Sequence, residues 1–153
     1  MSLAARFTNS SSRLFPRSSR RWSRLHAQLY RRTGGRFMPK WFGAPVLVLE
    51  TVGRKSGEPR VTPLVYARDG DDLVVSPAAG GTTPNPAWWL NLQAAGSGVA
   101  VIGGERRTVR PRVTAGAERE QLWPKLCEAY PPALDYVRMM GRELTVVVLE
   151  RIA

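Results

Sequence analysis

The 153-residue sequence predicts one mainly β domain of the α+β kind, an antiparallel barrel with a few added helices. Six short segments rich in apolar and β-branched residues follow one another along the chain. Glycine-bounded turns separate several of them, and few helical segments lie between them. The length fits a single domain, which buries about two-thirds of its unfolded surface without disulfides.

The predicted strands form hairpins in chain order. Their approximate bounds are 45–52, 60–68, 73–76, 97–102, 106–113 and 144–149. The segment 53–59 is the first hairpin turn, and Gly103-Gly104 is the turn of the second hairpin. Pro63 lies inside the second strand and lacks an N–H, so that strand is expected at an edge or a bulge.

Three helices are predicted between or after these strands. The first begins at Asn85-Pro86, with Asn as N-cap and Pro at the first helical position, and ends near residue 93 or 94. The second spans 118–129, with Pro124 in its early turns. The third begins at Pro131 or Pro132 and continues through Met140 to Gly141.

The net charge of +11 belongs to the start of the chain. Residues 1–40 carry ten basic and no acidic side chains, whereas residues 41–153 carry thirteen basic and twelve acidic ones. We therefore divide the chain into a basic leader, 1–40, and a nearly neutral barrel domain, 41–153. Nucleic acid is not expected as a partner, because the neutral domain has no helix-turn-helix pattern and no basic strand with interleaved aromatic residues.

The leader is expected to contain an amphipathic helix over about 20–32. Trp22, Leu25 and Leu29 fall on one face with arginines beside them, and Gly34-Gly35 ends the pattern. This helix either packs on the domain or binds an anionic membrane surface, and one helix could do both. The Arg- and Ser-rich composition also resembles an organellar transit peptide.

The chain has one cysteine, Cys127, and one histidine, His26. A lone cysteine forms no internal disulfide and no Cys-based zinc site. Because His26 lies in the leader, a histidine-dependent triad or a histidine-rich metal site in the domain is excluded. We therefore expect no metal site, and a cofactor as the source of any difficult chemistry.

Two glycine-bounded loops are candidate binding elements. The turn GRKSG (53–57), followed by Arg60, offers backbone N–H groups, two cations and a hydroxyl to an anion. On composition alone, an ordinary hairpin turn with solvated charges is the favoured interpretation. Gly80-Gly81 either lets a ligand approach the backbone closely or is a flexible connection.

Aromatic and basic side chains elsewhere allow two interpretations each. Trp88 and Trp89 are core residues, or one of them faces a bound ring. The arginines of the fifth strand (106, 107, 110 and 112) form a solvated face or a rim for an acidic ligand. Tyr130 and Tyr136 bracket the start of the third helix and either donate to a carbonyl in a pocket or cap the core.

The order of four segments resembles the deazaflavin-dependent nitroreductase family. The segments are GRKSGEPRVTPL, GGTTPNPAWWLNL, WPKLCEAYPPALDYV and the terminal VVVLER, and the match covers about 46–150. Members of that family are actinobacterial oxidoreductases that use coenzyme F-420, an 8-hydroxy-5-deazaflavin. The resemblance implies a six-stranded antiparallel split β-barrel of the flavin-reductase, FMN-binding-like kind. The basic leader is similar to that of the membrane-associated branch.

The resemblance also implies a site. The phosphate and glutamate tail of the cofactor would be held by Arg54, Lys55, Ser56 and Arg60. The ring would be lined by Pro63 and Leu64, and its wall completed by Gly80, Gly81, Trp88 and Asn91. Tyr130 and Tyr136 would be the catalytic residues, donating to the acceptor, and the substrate pocket would include Val65, Ala78 and Ala133.

Four positions depart from the nitro-reducing relatives. Those relatives typically have tyrosine at Val65, serine at Ala78, lysine at Ala79 and tyrosine at Ala133. The pocket is therefore expected to be roomier and more apolar, with weak nitroimidazole activity and a preference for a bulkier quinone-like acceptor.

We therefore expect an enzyme that transfers a hydride from reduced coenzyme F-420 to a quinone-like, enone or nitroaromatic acceptor. Its expected location is the cytoplasm, peripheral to the inner face of the cell membrane. A non-catalytic deazaflavin- or lipid-binding module and an FMN-dependent reductase on the same fold are the alternatives. A homodimer stays open, since split barrels often dimerise.

Overall fold

The computed structural model describes residues 40–41, 44–78 and 85–152, which belong to the compact unit Met38–Ala153. The leader helix predicted over 20–32 lies outside the described residues. The described strands are β1 (Lys40–Trp41), β2 (Ala44–Val52), β3 (Pro59–Val65), β4 (Ala67–Asp69), β5 (Asp72–Val75), β6 (Gly98–Ile102), β7 (Glu105–Val113) and β8 (Val147–Arg151). The described helices are α1 (Ala87–Ala95), α2 (Gly116–Ala129) and α3 (Ala133–Met140).

The sheet is antiparallel throughout and closes through one bent strand. Its order is β1, β2, β6, β7, β8, β5, β4, and β3 pairs with β2. Only Tyr66 separates β3, which pairs with β2, from β4, which pairs with β5. The Tyr66 N–H donates to the Pro45 carbonyl at 3.1 Å. The chain therefore changes its partner strand at Tyr66. Its continuity from β3 to β4 connects the two edges of the split barrel.

The predicted fold class, an antiparallel split barrel with peripheral helices, is confirmed, but its strand count of six is wrong. The described residues form eight strands. The predicted strand 60–68 is two strands, because its ladder partner changes at Tyr66. The two-residue β1 is too short for its hydrophobic pattern to reveal.

Two layers of side chains form the core. The barrel interior is filled by alternating residues of the strands, by Tyr66 and by three residues of α1. The strand residues are Leu47, Leu49, Leu73, Val75, Ala100, Val109, Val147 and Leu149, and the α1 residues are Trp88, Trp89 and Leu92. On the outer face, Val74 and Val148 pack with Leu122 and Leu126 of α2. Since neighbours on a strand point to opposite faces, β5 and β8 bury both of their faces.

The helices begin and end near their predicted bounds. Pro86 takes the N-cap position of α1, so the predicted Asn85 cap and helical Pro86 are each displaced by one residue. α2 begins at Gly116, two residues before the prediction, and contains Pro124. Among the described residues, no helix is long and apolar enough to cross a bilayer.

α1 lies directly on the barrel because β6 begins with a glycine. A Cβ at Gly98 would lie 2.8 Å from the Glu50 carbonyl oxygen and 3.1 Å from Leu92 Cδ1. No larger residue fits between β2 and α1 at this point without displacing one of them. This close approach fixes the helix that carries Trp88 and Asn91.

Candidate functional site

A cavity of about 610 Å³ lies beside β3. It is lined by Thr62, Pro63, Leu64, Val65, Ser76, Ala78, Pro86, Trp88, Trp123, Leu126, Tyr130, Ala133, Tyr136 and Leu144. None of these side chains is charged. The volume lies in the range of small-molecule sites, and an uncharged lining suits a neutral ligand.

The cavity unites eight residues that the resemblance implied for three different roles. They are Pro63, Leu64 and Trp88 from the cofactor set, Val65, Ala78 and Ala133 from the substrate set, and the two tyrosines. The β3 residues among them come just before Tyr66, where the chain changes from pairing with β2 to pairing with β5. The small side chains at Ala78 and Ala133 and the apolar Val65 leave this part of the wall without polar groups.

Tyr130 and Tyr136 form a hydrogen-bonded pair at the cavity wall. Their hydroxyl oxygens are 2.6 Å apart and their ring centroids 5.8 Å apart. Burial, and then the hydrogen bond with Tyr130, raise the pKa of Tyr136 to about 12. Two hydroxyls carry two hydrogens, and only one hydrogen can lie between the two oxygens. The pair therefore keeps one O–H available to a ligand.

Six lining residues were not predicted: Thr62, Ser76, Pro86, Trp123, Leu126 and Leu144. Trp123, Leu126 and Tyr130 recur at the three- and four-residue spacing of one helix face, a signal that the sequence does contain. No such spacing marks Ser76 in the sequence. In the structure its hydroxyl donates to the Thr145 carbonyl oxygen at 2.6 Å.

The GRKSG turn is closed by its own backbone. The Gly57 N–H donates to the Gly53 carbonyl, and the Gly53 N–H donates to the Glu58 carbonyl, each at 2.8 Å. Gly57 has a φ of 69°, which favours glycine. The Glu58 N–H donates to Ser56 Oγ at 3.2 Å.

Asn91 joins this turn to α1. Its Oδ1 accepts from the Arg54 backbone N–H at 3.1 Å and from Arg54 Nη1 at 3.0 Å. The Asn91 side chain is buried. Asn91 thus holds the turn in place, and Trp88, one helical turn earlier on α1, lines the cavity.

What the turn offers a ligand is cationic. Arg54, Lys55 and Arg60 are exposed, and Arg60 Nη2 donates to Ser56 Oγ at 3.4 Å. Within the described part of the chain, the N–H groups of Lys55 and Ser56 have no protein acceptor. Two adjacent N–H groups beside three cations fit a phosphate or a carboxylate.

β3 connects the turn with the cavity. Arg60, Thr62 and Leu64 lie on one face of the strand, since side chains alternate. At about 3.3 Å per residue, Arg60 lies about 7 Å from Thr62 along the strand. An uncharged cavity next to a cationic turn fits a cofactor that has a flat ring and an anionic tail.

The diglycine segment cannot be placed in the same way. Gly80, Gly81 and Ala79 lie outside the described residues. Ala78 and Pro86, which flank this segment on either side, both line the cavity.

The arginines of β7 do not line the cavity, and each pairs with a carboxylate. Glu50 accepts from Arg106 at 2.8 and 2.7 Å, and Arg107 contacts Glu105 at 3.1 Å. Glu150 accepts from Arg110 at 2.8 Å and from Arg112, which also contacts Glu118. These hydrogen bonds lower the pKa of Glu150.

Among the described residues, neither a group that could bind a metal nor the one cysteine lines the cavity. In residues 44–78 and 85–152, no three His, Cys, Asp or Glu side chains are grouped as a metal site requires. Burial raises the pKa of the Cys127 thiol, and Cys127 does not line the cavity.

Comparison with known proteins identifies the family. The family model described as F420H(2)-dependent quinone reductase matches residues 22–151. The chain belongs to this family. It is an oxidoreductase with coenzyme F-420 as its cofactor, so the expected enzyme class and cofactor are confirmed, and the FMN and non-catalytic alternatives are not retained.

Relatives cover most of the chain. An F420H(2)-dependent quinone reductase of Mycobacterium tuberculosis is 36% identical over 133 residues, which are 84% of this chain and 89% of the relative. A solved F420-H2 dependent reductase is 29% identical with a TM-score of 0.63, covering 69% of this chain and 94% of that one. A further solved structure, described as a domain-swapped dimer, is 26% identical with a TM-score of 0.64, covering 84% and 97% of the two chains.

Proposed function

We propose that this oxidoreductase transfers a hydride from reduced coenzyme F-420 to a neutral, quinone-like acceptor. The observation that carries the proposal is the uncharged cavity with a tyrosine pair in its wall, adjoining the cationic turn. A charged acceptor entering such a cavity loses hydration without gaining a counter-ion, which costs several kcal/mol or more. Quinones and enones are flat and neutral, and they present a carbonyl oxygen to a donor.

The residues that would hold the cofactor lie in two groups. Its anionic tail would contact the cations and free N–H groups of the turn, namely Arg54, Lys55, Ser56 and Arg60. Its ring would lie against Pro63, Leu64 and Trp88. Asn91 would hold the turn and α1 in their relative positions, and we propose Gly80 and Gly81 as further cofactor-binding residues. The bound cofactor supplies the hydride, and the chain supplies position and polarity.

The tyrosine pair would act on the acceptor. When a hydride adds to a quinone or an enone, negative charge develops on the carbonyl oxygen. The free O–H of the Tyr130–Tyr136 pair can donate to that oxygen and stabilise the charge. The pKa of Tyr136, raised to about 12, keeps that residue protonated at neutral pH and so maintains the hydrogen bond within the pair. Leu126 and Leu144 make the surrounding wall apolar, which excludes water and strengthens the hydrogen bond.

The shape of the cavity would set the order of acceptors. Val65, Ala78 and Ala133 replace larger or more polar residues that the nitro-reducing relatives typically have. Their small or apolar side chains leave room for a substituted quinone and provide no donor for a nitro group. We therefore expect quinones to react fastest, enones less rapidly and nitroimidazoles slowly.

A turnover assay tests this proposal. Purified protein is mixed with reduced coenzyme F-420 and menadione, cyclohexenone or a nitroimidazole, and the return of oxidised-cofactor absorbance is followed. We expect the menadione rate to exceed the nitroimidazole rate by about tenfold or more, since one well-placed hydrogen bond or fitting group changes a rate by this amount. Equal rates with all three acceptors, or no acceleration by protein, would contradict the proposal.

A pair of variants sharpens the assay. Val65→Tyr narrows the cavity and should lower kcat/KM for a substituted quinone several-fold, because added volume excludes the acceptor. Val113→Tyr makes the same change on β7, where Val113 is 54% exposed and does not line the cavity. The control should keep the wild-type value.

For the leader, we propose attachment of a cytoplasmic enzyme to the inner face of the membrane. The support is the concentration of ten basic and no acidic residues in 1–40. Each basic residue near an anionic surface contributes about 1 kcal/mol. Deleting residues 1–36 should abolish cosedimentation with anionic vesicles and leave the affinity for coenzyme F-420 unchanged. Retained vesicle binding by the truncated protein would exclude the leader as the attachment site.

A further inference from the structure

We infer that Arg119, which lies outside the cavity, positions Trp123 and thereby sets the affinity for the acceptor. The inference rests on the proposed function, because it assigns Trp123 to the acceptor in that same cavity. Neither residue was singled out by the sequence.

The first contact is between the two side chains. Arg119 and Trp123 are one turn apart on α2, and the guanidinium carbon lies 5.6 Å from the indole centroid. A guanidinium over an indole face is attracted by the ring quadrupole and stacks on its plane. Trp123 lines the cavity and Arg119 does not, so the guanidinium holds the indole without bordering the cavity itself.

The second contact reaches a different wall. Arg119 Nη2 donates to the Leu144 carbonyl oxygen at 2.8 Å, and Leu144 lines the cavity with 2% of its surface exposed. The ion pair of Arg119 with Glu143 is longer, 3.8 Å, and Glu143 is 82% exposed, so it adds little. One half-buried side chain thus couples α2 to the segment before β8, and both carry lining residues.

The chemistry of Trp123 suits the acceptor. An indole held in one orientation offers a rigid flat surface on which a quinone ring can stack, at little cost in side-chain entropy. Trp88 lines the cavity from α1, in the set that we assign to the cofactor. Lysine could not replace Arg119 fully, because an ammonium lacks the planar fork that stacks and donates at the same time.

The test measures acceptor affinity with and without turnover. We expect Arg119→Met to raise the KM for menadione about tenfold while kcat stays within about twofold, since uniform binding is lost. Arg119→Lys should give an intermediate KM. Without cofactor, the shift in Tm that menadione produces should shrink in the same order. The affinity for coenzyme F-420 should not change, because Arg119 does not contact the turn or the cofactor wall.

A double-mutant cycle separates positioning from a general structural effect. If Arg119 acts through Trp123, Arg119→Met should have little further effect on KM in a Trp123→Leu background. Arg138→Met, which removes an arginine that is 83% exposed, is the matched control and should behave as wild type. Additive effects in the cycle, or an unchanged KM in Arg119→Met, would overturn the inference while wild-type turnover of quinone still upholds the proposed function. If wild-type protein neither binds nor reduces menadione, both fail.

Discussion

At the scale of single residues, few of the described residues that line the site carry a polar side chain. Four of them carry a hydroxyl, and one of these, Ser76, donates to the Thr145 carbonyl oxygen. The tyrosine pair keeps one hydrogen that does not lie between its two oxygens, and the raised pKa of Tyr136 keeps that residue protonated at neutral pH. This lining supports the proposed selectivity for a neutral carbonyl acceptor.

Removing the hydroxyls one at a time tests the tyrosine pair. Each single variant, Tyr130→Phe or Tyr136→Phe, leaves one hydroxyl as a donor but loses its orienting partner, so kcat/KM should fall several-fold. The double variant has no donor and should fall about 100-fold. In wild type, kcat should be flat between about pH 6 and pH 9, because the pKa of Tyr136 lies well above this range at about 12. Steady-state kinetics with menadione give both quantities.

The outcome that would contradict the pair's role is a double variant with wild-type kcat/KM.

The pH dependence of stability gives a second measure of the pair. Since the pKa of Tyr136 is raised in the folded state, its contribution to stability is complete below the unfolded value of about 10 and is lost as pH rises through about 12. Tyr136→Phe should remove that loss.

At the scale of elements, the site depends on two junctions. At Tyr66 the chain passes from β3, which pairs with β2, to β4, which pairs with β5, and four residues of β3 line the cavity. Gly98 lets α1 lie on β2 and β6, and Asn91 then ties α1 to the cationic turn. The positions of Trp88 and Asn91, which we assign to the cofactor site, therefore depend on the position of α1.

A glycine substitution tests the seat of α1. Gly98→Ala places a methyl group 2.8 Å from the Glu50 carbonyl oxygen and should cost about 1–3 kcal/mol of stability. It should also weaken coenzyme F-420 binding, because Trp88 and Asn91 shift with the helix. Gly103→Ala introduces only backbone strain, since φ is 53° and nothing lies within 4 Å of the added carbon. Urea denaturation and cofactor titration should show reduced affinity in the first variant alone.

At the scale of the whole molecule, much of the fold could be predicted because the strands are local hairpins with strong patterns. The hairpin β6–β7 and the helix after Pro86 needed only turn glycines, proline and alternation. The change of partners at Tyr66 could not be predicted, because it depends on which distant strands flank 60–68. For the same reason, the sequence places Pro63 at an edge but does not show that the edge opens onto a cavity.

The residues of the candidate site likewise divide into those that were predicted and those that were not. Pro63 and Leu64 came from the resemblance, which also gave roles to Trp88 and the tyrosines that the sequence had already singled out. The structure brings all five to one cavity. Trp123 and Leu126 were missed, since an aromatic residue or a leucine on a helix is most often core, and Leu144 was missed as an apolar residue of a predicted buried strand. The role of Asn91 as an acceptor for Arg54 needed the spatial proximity of residues 37 apart in the chain.

The most direct test of the central claim is a fluorescence titration of coenzyme F-420 with protein that lacks two of the three exposed cations, Lys55 and Arg60. Lys55→Ala/Arg60→Ala removes two positive charges beside the free N–H groups but spares the Arg54–Asn91 link. Arg138→Ala/Arg142→Ala removes the same charge at exposed positions outside the cavity and the turn. We predict that the turn variant raises the Kd about 10- to 100-fold and weakens its salt dependence, while the control stays within about twofold of wild type. A wild-type Kd in the turn variant would contradict the account.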